Sequence, residues 1–491
     1  MPKVALLTSR LAKGLLADHL RDLKLPGVET VIVDLPLHSI SLVSAETIAK
    51  IVARKEELRE RLRDVDVVLV PGSVMGDVDI VSRVLNKPVY KASRALYYLH
   101  EVLKHISEGR PLDTIKPAEE FVRLVEPKIE YREAFQVEDL SIPMRGPPVI
   151  VATEAVESLP YEEFSSTIAR FLKEGAKIIV VGSSFDMSTE ELSRRASLVS
   201  DAGCVVVAEA PTLHHAKAAL SAGAHGLSIS ADMVPDVVPL LSSRNFLVVG
   251  DRDPLALARA VEQAKGVGVH KIFIDPIVGV PLVDFSATAQ RYLQASSLDL
   301  PLWFSSANAQ EEIEADSHGV HAVLAFLAVE LRASVYAVVE DSPKSLHSTA
   351  EAREALRIAS QHYLAKTSPK GTFSRLVVMK RGRRGRGVVE SQAEVVGHVE
   401  PEMDERGYLR VHVDHERGEL VVAFYGRNGN KRAFRGKEAT SLARAVVRRA
   451  GISAEHAAYL GYELAKAELA LKLGIEYEQD EPLLATPWEE Q

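Results

Sequence analysis

Several short apolar runs in this chain end in a carboxylate and then turn at once, and these ends are the residues best suited to chemistry. The clearest is KIFIDPIVGVP at 271–281, where Asp275 closes a run rich in Ile and Phe and the chain turns through Pro276 and Gly279. Glu154, Asp186, Glu209, Asp251 and Glu340 with Asp341 follow other apolar runs in the same way. Ser228, Ser230, Ser305, Ser306 and Asn308 add hydroxyl and amide groups at matching positions. Carboxylates outnumber cations in this set; Lys344, in EDSPKSLHS, is the one cation placed to reach a phosphate or an acidic second substrate. Such a pocket suits a ligand with paired N–H donors, because a carboxylate accepts two parallel hydrogen bonds from an amidine-like edge. A 2-amino-4-oxo pterin has that edge. The competing reading is helix capping, which Asp and Ser perform routinely at helix starts. It weighs most for Asp186 and Asp251, and least for Asp275, which no helix follows directly.

The elements that would position these residues are eight apolar runs between about 148 and 365: 149–153, 177–182, 204–208, 226–229, 246–249, 271–274, 301–305 and 335–339. Amphipathic stretches alternate with them. Eight strand–helix units predict a (β/α)8 TIM barrel with its chemistry at the C-terminal mouth. Ahead of it, KVALLTS, an amphipathic helix over 11–22 and strands at 30–34 and 65–70 predict a Rossmann-like, doubly wound α/β domain over 1–140. VLVPGSVMGD at 68–77 puts glycines after a strand, where N–H groups meet anions, yet a plain turn is the better reading without GxGxxG or GxxxxGKS. Lys91 and Arg94, read within a helix KASRALYYLHEVL, are the basic candidates on that face. The prolines at 127, 143, 147 and 148 predict a linker over 127–148 into a barrel at 146–368. A small α+β domain over 372–491 follows. It opens with the alternating YLRVHVD and ELVVAFYG and ends in two helices, the second capped by Ser453. His456, Tyr459, Glu463 and Lys466 share one stripe of that helix, read as packing.

The chain has 491 residues, 46% of them hydrophobic, and a net charge of −9. That balance predicts no general nucleic-acid partner, since phosphate contacts need a basic surface; the basic, glycine-rich KRGRRGRG at 380–387 reads as an exposed hairpin or linker. No apolar run approaches the ~20 residues of a membrane helix, and MPKVALLTSR lacks a signal peptide's core, so a cytoplasmic protein is expected. The single cysteine, Cys204, leaves no intramolecular disulfide. His318 and His321 are spaced to share a helix face with Asp316 nearby, but no further ligand stands at a motif spacing, and no metal site is expected. Few Asn and Gln among 127 charged residues suggest a thermophilic source.

The segments quoted above also carry a resemblance. DPIVGVP at 275–281 is similar to the sixth-strand segment of the pterin-binding family, which joins dihydropteroate synthases to the corrinoid-linked methyltetrahydropterin methyltransferases. AEAPTLHHAKAALSAGAHGLSIS at 208–230 resembles its third-to-fourth-strand segment, and FSSAN at 304–308 its seventh. NAQEEIEADSHGVHAVLAFLAVEL at 308–331 and HAAYLGYELAKAELALKLGIEYEQDEP at 456–482 resemble archaeal dihydropteroate synthase-related proteins. The resemblance implies pterin binding by Asp275, Asn308, Glu209, Ser228 and Asp186, with Ser306, Glu340 and Lys344 toward a second substrate or phosphate. It implies a transferase of folate or methanopterin one-carbon metabolism that joins a dihydropterin diphosphate to an arylamine. The alternatives are methyl transfer from a methyl-tetrahydropterin to a corrinoid protein, and a non-catalytic pterin-binding protein. A dihydropterin or tetrahydropterin is the implied ligand. The family's Mg²⁺ and diphosphate loop is absent from VATEAVES at 151–158, its seventh-strand Lys is replaced by Asn308, and its eighth-strand Arg-x-His by VVEDSPK. A homodimer and a corrinoid partner both stay open.

Overall fold

The chain was described from a computed structural model covering residues 1–23, 27–40, 43–120, 122, 129–366, 369, 375–378, 394, 396–400, 402 and 404–484. The run KRGRRGRG lies outside these residues. Two compact units emerge, Met1–Arg381 and Gly382–Gln491.

The first unit opens with a parallel sheet of β1 (Lys3–Ser9), β2 (Glu29–Leu35), β3 (Val67–Val70) and β4 (Val89–Lys91), in the order β2-β1-β3-β4. Its Val, Leu and Ile side chains are buried on both faces, as a sheet covered by helices on two sides requires. Lys91 ends β4 and Arg94 lies in the turn beyond it, so neither belongs to a helix; the helix begins at Leu99.

The stretch read as a linker instead forms an antiparallel hairpin, β5 (Glu133–Val137) and β6 (Leu140–Pro143). Its Val137 and Ile142 join the apolar cluster inside the barrel, and Phe135 meets Phe273 edge-on with centroids 5.1 Å apart. The four prolines masked an apolar pairing that plugs the barrel.

The eight expected runs are strands. They are β7 (Ile150–Ala155), β8 (Ile178–Val181), β9 (Val205–Glu209), β10 (Gly226–Ser230), β11 (Phe246–Gly250), β12 (Ile272–Asp275), β13 (Trp303–Ser305) and β14 (Val335–Val339). They form one parallel sheet in the order β12-β11-β10-β9-β8-β7-β14-β13. A parallel bridge between Ile274 and Leu302, with Ile274 N–H donating to Pro301 O at 3.1 Å, joins the two edges and closes a TIM barrel. Helices cover its outside through a continuous apolar layer that includes Phe164, Phe171, Tyr292, Leu324 and Leu356. Along each strand the side chains alternate between that layer and the barrel interior, where Ile150, Ala152, Val205, Val207, Phe246, Phe273 and Trp303 pack.

The second unit is an antiparallel sheet of β15 (Gly407–Asp414), β16 (Glu419–Gly426) and β17 (Lys431–Gly436), packed against helices Ala439–Ala450 and Ala454–Leu473. Ser453 caps the second helix, accepting from His456 N–H at 3.1 Å. The polar stripe on that helix is held by neighbours within the unit. His456 Nδ1 lies 3.1 Å from Asp404, Tyr459 donates to Asp480 at 2.6 Å, and Tyr477 donates to Glu463 at 2.7 Å. Lys466 pairs with Glu463 at 2.9 Å. These contacts are structural clamps, as the packing reading expected. Among the described residues no helix is long and apolar enough to cross a membrane.

Candidate functional site

The strand alternation decides which mouth residues face inward. Ile150 and Ala152 point into the barrel, so Glu154, on the same parity, does too; Val205 and Val207 carry Glu209 inward, and Phe273 carries Asp275. Three carboxylates therefore converge on the C-terminal layer. The register sets Glu209 beside Ser228 and Asp275 beside Gly250. Gly182 matters here, because a Cβ at that position would lie 2.8 Å from Glu154 Oε1. Its missing side chain makes room for the carboxylate.

The three acids share an environment that opposes ionisation. Burial pushes Glu154 well above the usual carboxylate range, and the nearby charges of Glu209, Glu311 and Asp341 push the same way. Burial also raises Glu209, against a hydrogen bond from Ser183 N–H at 3.3 Å. Burial lifts Asp275 to about 6, although Ile277 N–H donates to its Oδ1 at 2.8 Å and Tyr292 Oη lies 3.1 Å away. No ion pair to any of the three is formed among the described residues. A carboxyl whose folded pKa lies above its unfolded value takes up protons on folding between the two values, so stability falls as pH rises through that window. Glu154→Gln removes one such group. The variant is expected to show a shallower loss of stability than wild type as pH rises above the usual carboxylate range, measured by urea unfolding at each pH.

The segment after Asp275 is fixed in detail. Ile277 has φ +59°, a left-handed conformation that strains a β-branched residue. Arg291 holds the segment by donating to Ile277 O at 2.8 Å and to Asp284 at 2.7 Å, while Asp284 Oδ1 accepts from Val280 N–H at 2.8 Å. Gly279 could not be replaced without a Cβ 2.4 Å from Asp284 O. Asn308 adds a further tie, its Nδ2 donating to Val278 O at 3.1 Å.

The other residues read from the sequence are placed differently. Asp186 is exposed in the loop after β8, outside the buried cluster. The helix beyond it is capped by Ser188, and the helix after β11 by Asp253, with Asp251 accepting from Asp253 N–H at 2.8 Å. Ser306 is fully buried and donates to Ala337 O at 2.9 Å. The Glu340 carboxylate is occupied by Arg170 at 2.7 Å, Thr349 and the His347 N–H. Lys344 donates to Glu311 O and to Glu314, each at 2.7 Å. His321 is buried against the Tyr336 hydroxyl at 2.9 Å, and burial lowers it to about 3. Ser317 starts its helix and donates to Glu351 at 2.6 Å. Sequence reading passed over Tyr292, Arg291 and Glu311. The first two lie on the helix after the DPIVGVP turn, and only the folded chain shows them at Asp275 and its loop.

Residues 403–480 match the family model PterinBD-DUF4346. The sequence resemblance to dihydropteroate synthase-like proteins of the pterin-binding family is borne out there. An uncharacterised protein of Methanocaldococcus jannaschii is 30% identical over 246 residues, which are 46% of this chain and 45% of that protein. The chain thus matches under half the length of this curated relative. Among solved structures, the dihydropteroate synthase of Thermus thermophilus in complex with 6HMPPP is similar at 20% identity, covering 47% of this chain and 99% of that one, with a TM-score of 0.39. A Yersinia pestis dihydropteroate synthase with a pterine-sulfa conjugate is similar at 16% identity over 47% and 98%, with a TM-score of 0.38.

Proposed function

We propose that the barrel mouth binds a pterin and that the protein is a transferase of the dihydropteroate synthase type in one-carbon metabolism. The observation that carries the reading is the set of inward carboxylates, Glu154, Glu209 and Asp275, without a cation paired to them. A pterin's 2-amino group and ring N–H would donate to Asp275 and Glu209, with Ser228 beside Glu209 and Asn308 steadying the loop after Asp275. Asp275 Oδ2 has no partner among the described residues, which leaves it for this role. The M. jannaschii relative supports an archaeal setting, while folate or methanopterin synthesis as the pathway class and the cytoplasm as its place rest on the sequence resemblance.

In the condensation, the arylamine nitrogen forms a bond to the pterin methylene carbon, the carbon–oxygen bond to diphosphate breaks, and the amine loses a proton. One of the raised carboxyls, in its ionised form, would accept that proton. The leaving diphosphate needs positive charge. Lys344 and the half-exposed Arg252, whose Nε is 3.8 Å from Asp284, lie in the loops after β14 and β11 and would supply it, whereas Arg291 and Arg170 are engaged at 2.7 Å by Asp284 and Glu340. Among the described residues no three His, Cys, Asp or Glu side chains are placed to hold a metal ion, so the Mg²⁺ implied by the resemblance would be held largely by the diphosphate of the substrate.

The engagement of Lys344 by Glu311 O and Glu314 favours a second reading without diphosphate, methyl transfer from a methyl-tetrahydropterin to a corrinoid protein, or pterin binding without catalysis. Calorimetric titration with a dihydropterin and with a tetrahydropterin, followed by assays for both transfers, separates these. Saturable binding of either pterin is expected. Absence of binding to both overturns the proposal.

A further inference from the structure

We infer that the N-terminal sheet carries a second ligand site, separate from the barrel mouth, for a small ring-bearing carboxylate or phosphate. The chain leaves β1 toward β2 on one side and later returns to β3 on the other, so the strand order reverses between β1 and β3. Open α/β sheets leave a crevice at the carboxyl ends of the strands at such a point, and ligands bind there. A cavity of about 250 Å³ occupies this place, lined by residues that follow or end β1, β3 and β4.

Its walls define the ligand. Leu6, Leu16 and Leu69 make an apolar slot, while Thr8, Ser93 and Arg94 supply the polar edge. Thr8 is 4% exposed, and its hydroxyl has no partner among the described residues. Because Thr8 lines the cavity, a bound acceptor can take the place of water at this hydroxyl. Ser93 is occupied, donating to Ala95 O. Arg94 lines the rim with its guanidinium 3.6 Å from Glu120, a loose and partly exposed pair that an incoming anion can share.

The glycine-rich turn plays a different part. Gly72 N–H is used by Ser93 O at 3.0 Å, and a Cβ at Gly72 would lie 2.5 Å from Ala92 O. This glycine permits close packing of the turns after β3 and β4 and is not an anion nest. One cation, one free hydroxyl and an apolar slot fit a single substituted ring with one anionic group. The volume lies below the roughly 300 Å³ at which drug-sized pockets begin, which favours a small ligand over a dinucleotide.

The test titrates the full chain with benzoate, phenyl phosphate and neutral benzyl alcohol, using ligand-observed NMR, on wild type, Arg94→Gln, Thr8→Val and Asp275→Asn. At least one anion is expected to bind saturably, with affinity about tenfold above benzyl alcohol. Arg94→Gln should remove that preference while leaving benzyl alcohol unchanged, and Thr8→Val should weaken the anion. Asp275→Asn should leave all three unaffected. The preferred anion then assigns carboxylate or phosphate as the headgroup. The inference is overturned if neither anion saturates, if Arg94→Gln and Thr8→Val both bind as wild type does, or if Asp275→Asn abolishes binding and so places the probe at the barrel. Because these probes are not pterins and the variants lie on another sheet, failure here is distinct from failure of the pterin reading.

Discussion

Asp275→Ala is expected to weaken dihydropterin binding by about 1.5 to 3 kcal/mol, the scale of a hydrogen bond to a charged group. That loss is roughly ten- to 150-fold in affinity, and calorimetric titration of the folded variant measures it. The effect should be large because the carboxylate is held in place before any ligand arrives. Ile277 N–H and Tyr292 fix Oδ1, so little ordering remains to oppose binding. The pH dependence gives a second signature. With burial lifting Asp275 to about 6, the acid is mostly protonated at pH 5 and mostly ionised above pH 7. A ligand that donates to the carboxylate therefore binds more tightly as pH rises through about 6 and reaches a plateau above it. Below that value affinity should drop by about tenfold per pH unit. In Asp275→Asn the step near pH 6 should shrink to what the raised Glu209 carboxyl contributes. A wild-type affinity that stays flat from pH 5 to 8, or an Asp275→Ala variant that binds like wild type, would remove Asp275 from the site.

The barrel was legible because parallel strands buried on both faces read as unbroken apolar runs, and each of the eight stands within two residues of its expected ends. Asp275 and Glu209 were legible for the same reason, as acids closing those runs. What could not be read was pairing across the chain. Glu340 closes β14 just as Asp275 closes β12, yet Arg170, far away in sequence, occupies it at 2.7 Å. Ser306 looked like a donor at the mouth, but its place one residue past β13 turns it onto Ala337 O. The hairpin over 133–143 was hidden by prolines that signal a break locally while its apolar residues pair with the barrel interior. In the second unit, the alternation of β15 and β16 was plain, whereas β17, KRAFRG, has mostly exposed residues and carries little apolar signal.

Phe273 tests whether that hairpin and the barrel form a single core beneath the site. It is fully buried, and its ring meets Phe135 of the hairpin at 5.1 Å, Phe246 at 5.5 Å and Trp303 at 5.5 Å, each edge-on. The four rings come from β5, β11, β12 and β13, and Phe273 lies two residues below Asp275 on the same inward face. Phe273→Ala is expected to cost about 3 to 5 kcal/mol of stability, because the surrounding strands are hydrogen bonded on both sides and cannot collapse into the space. Urea unfolding measures it. Phe135→Ala, on the half-buried hairpin, should cost less. The double variant should cost less than the sum of the two by about 0.5 to 1.5 kcal/mol, the worth of an aromatic pair beyond its buried area. Strict additivity would mean that the hairpin rests on the barrel without joining its core. Loss of the Phe273 ring also frees the strand end that carries Asp275, so pterin affinity should fall in this variant even though no atom of Phe273 reaches the ligand.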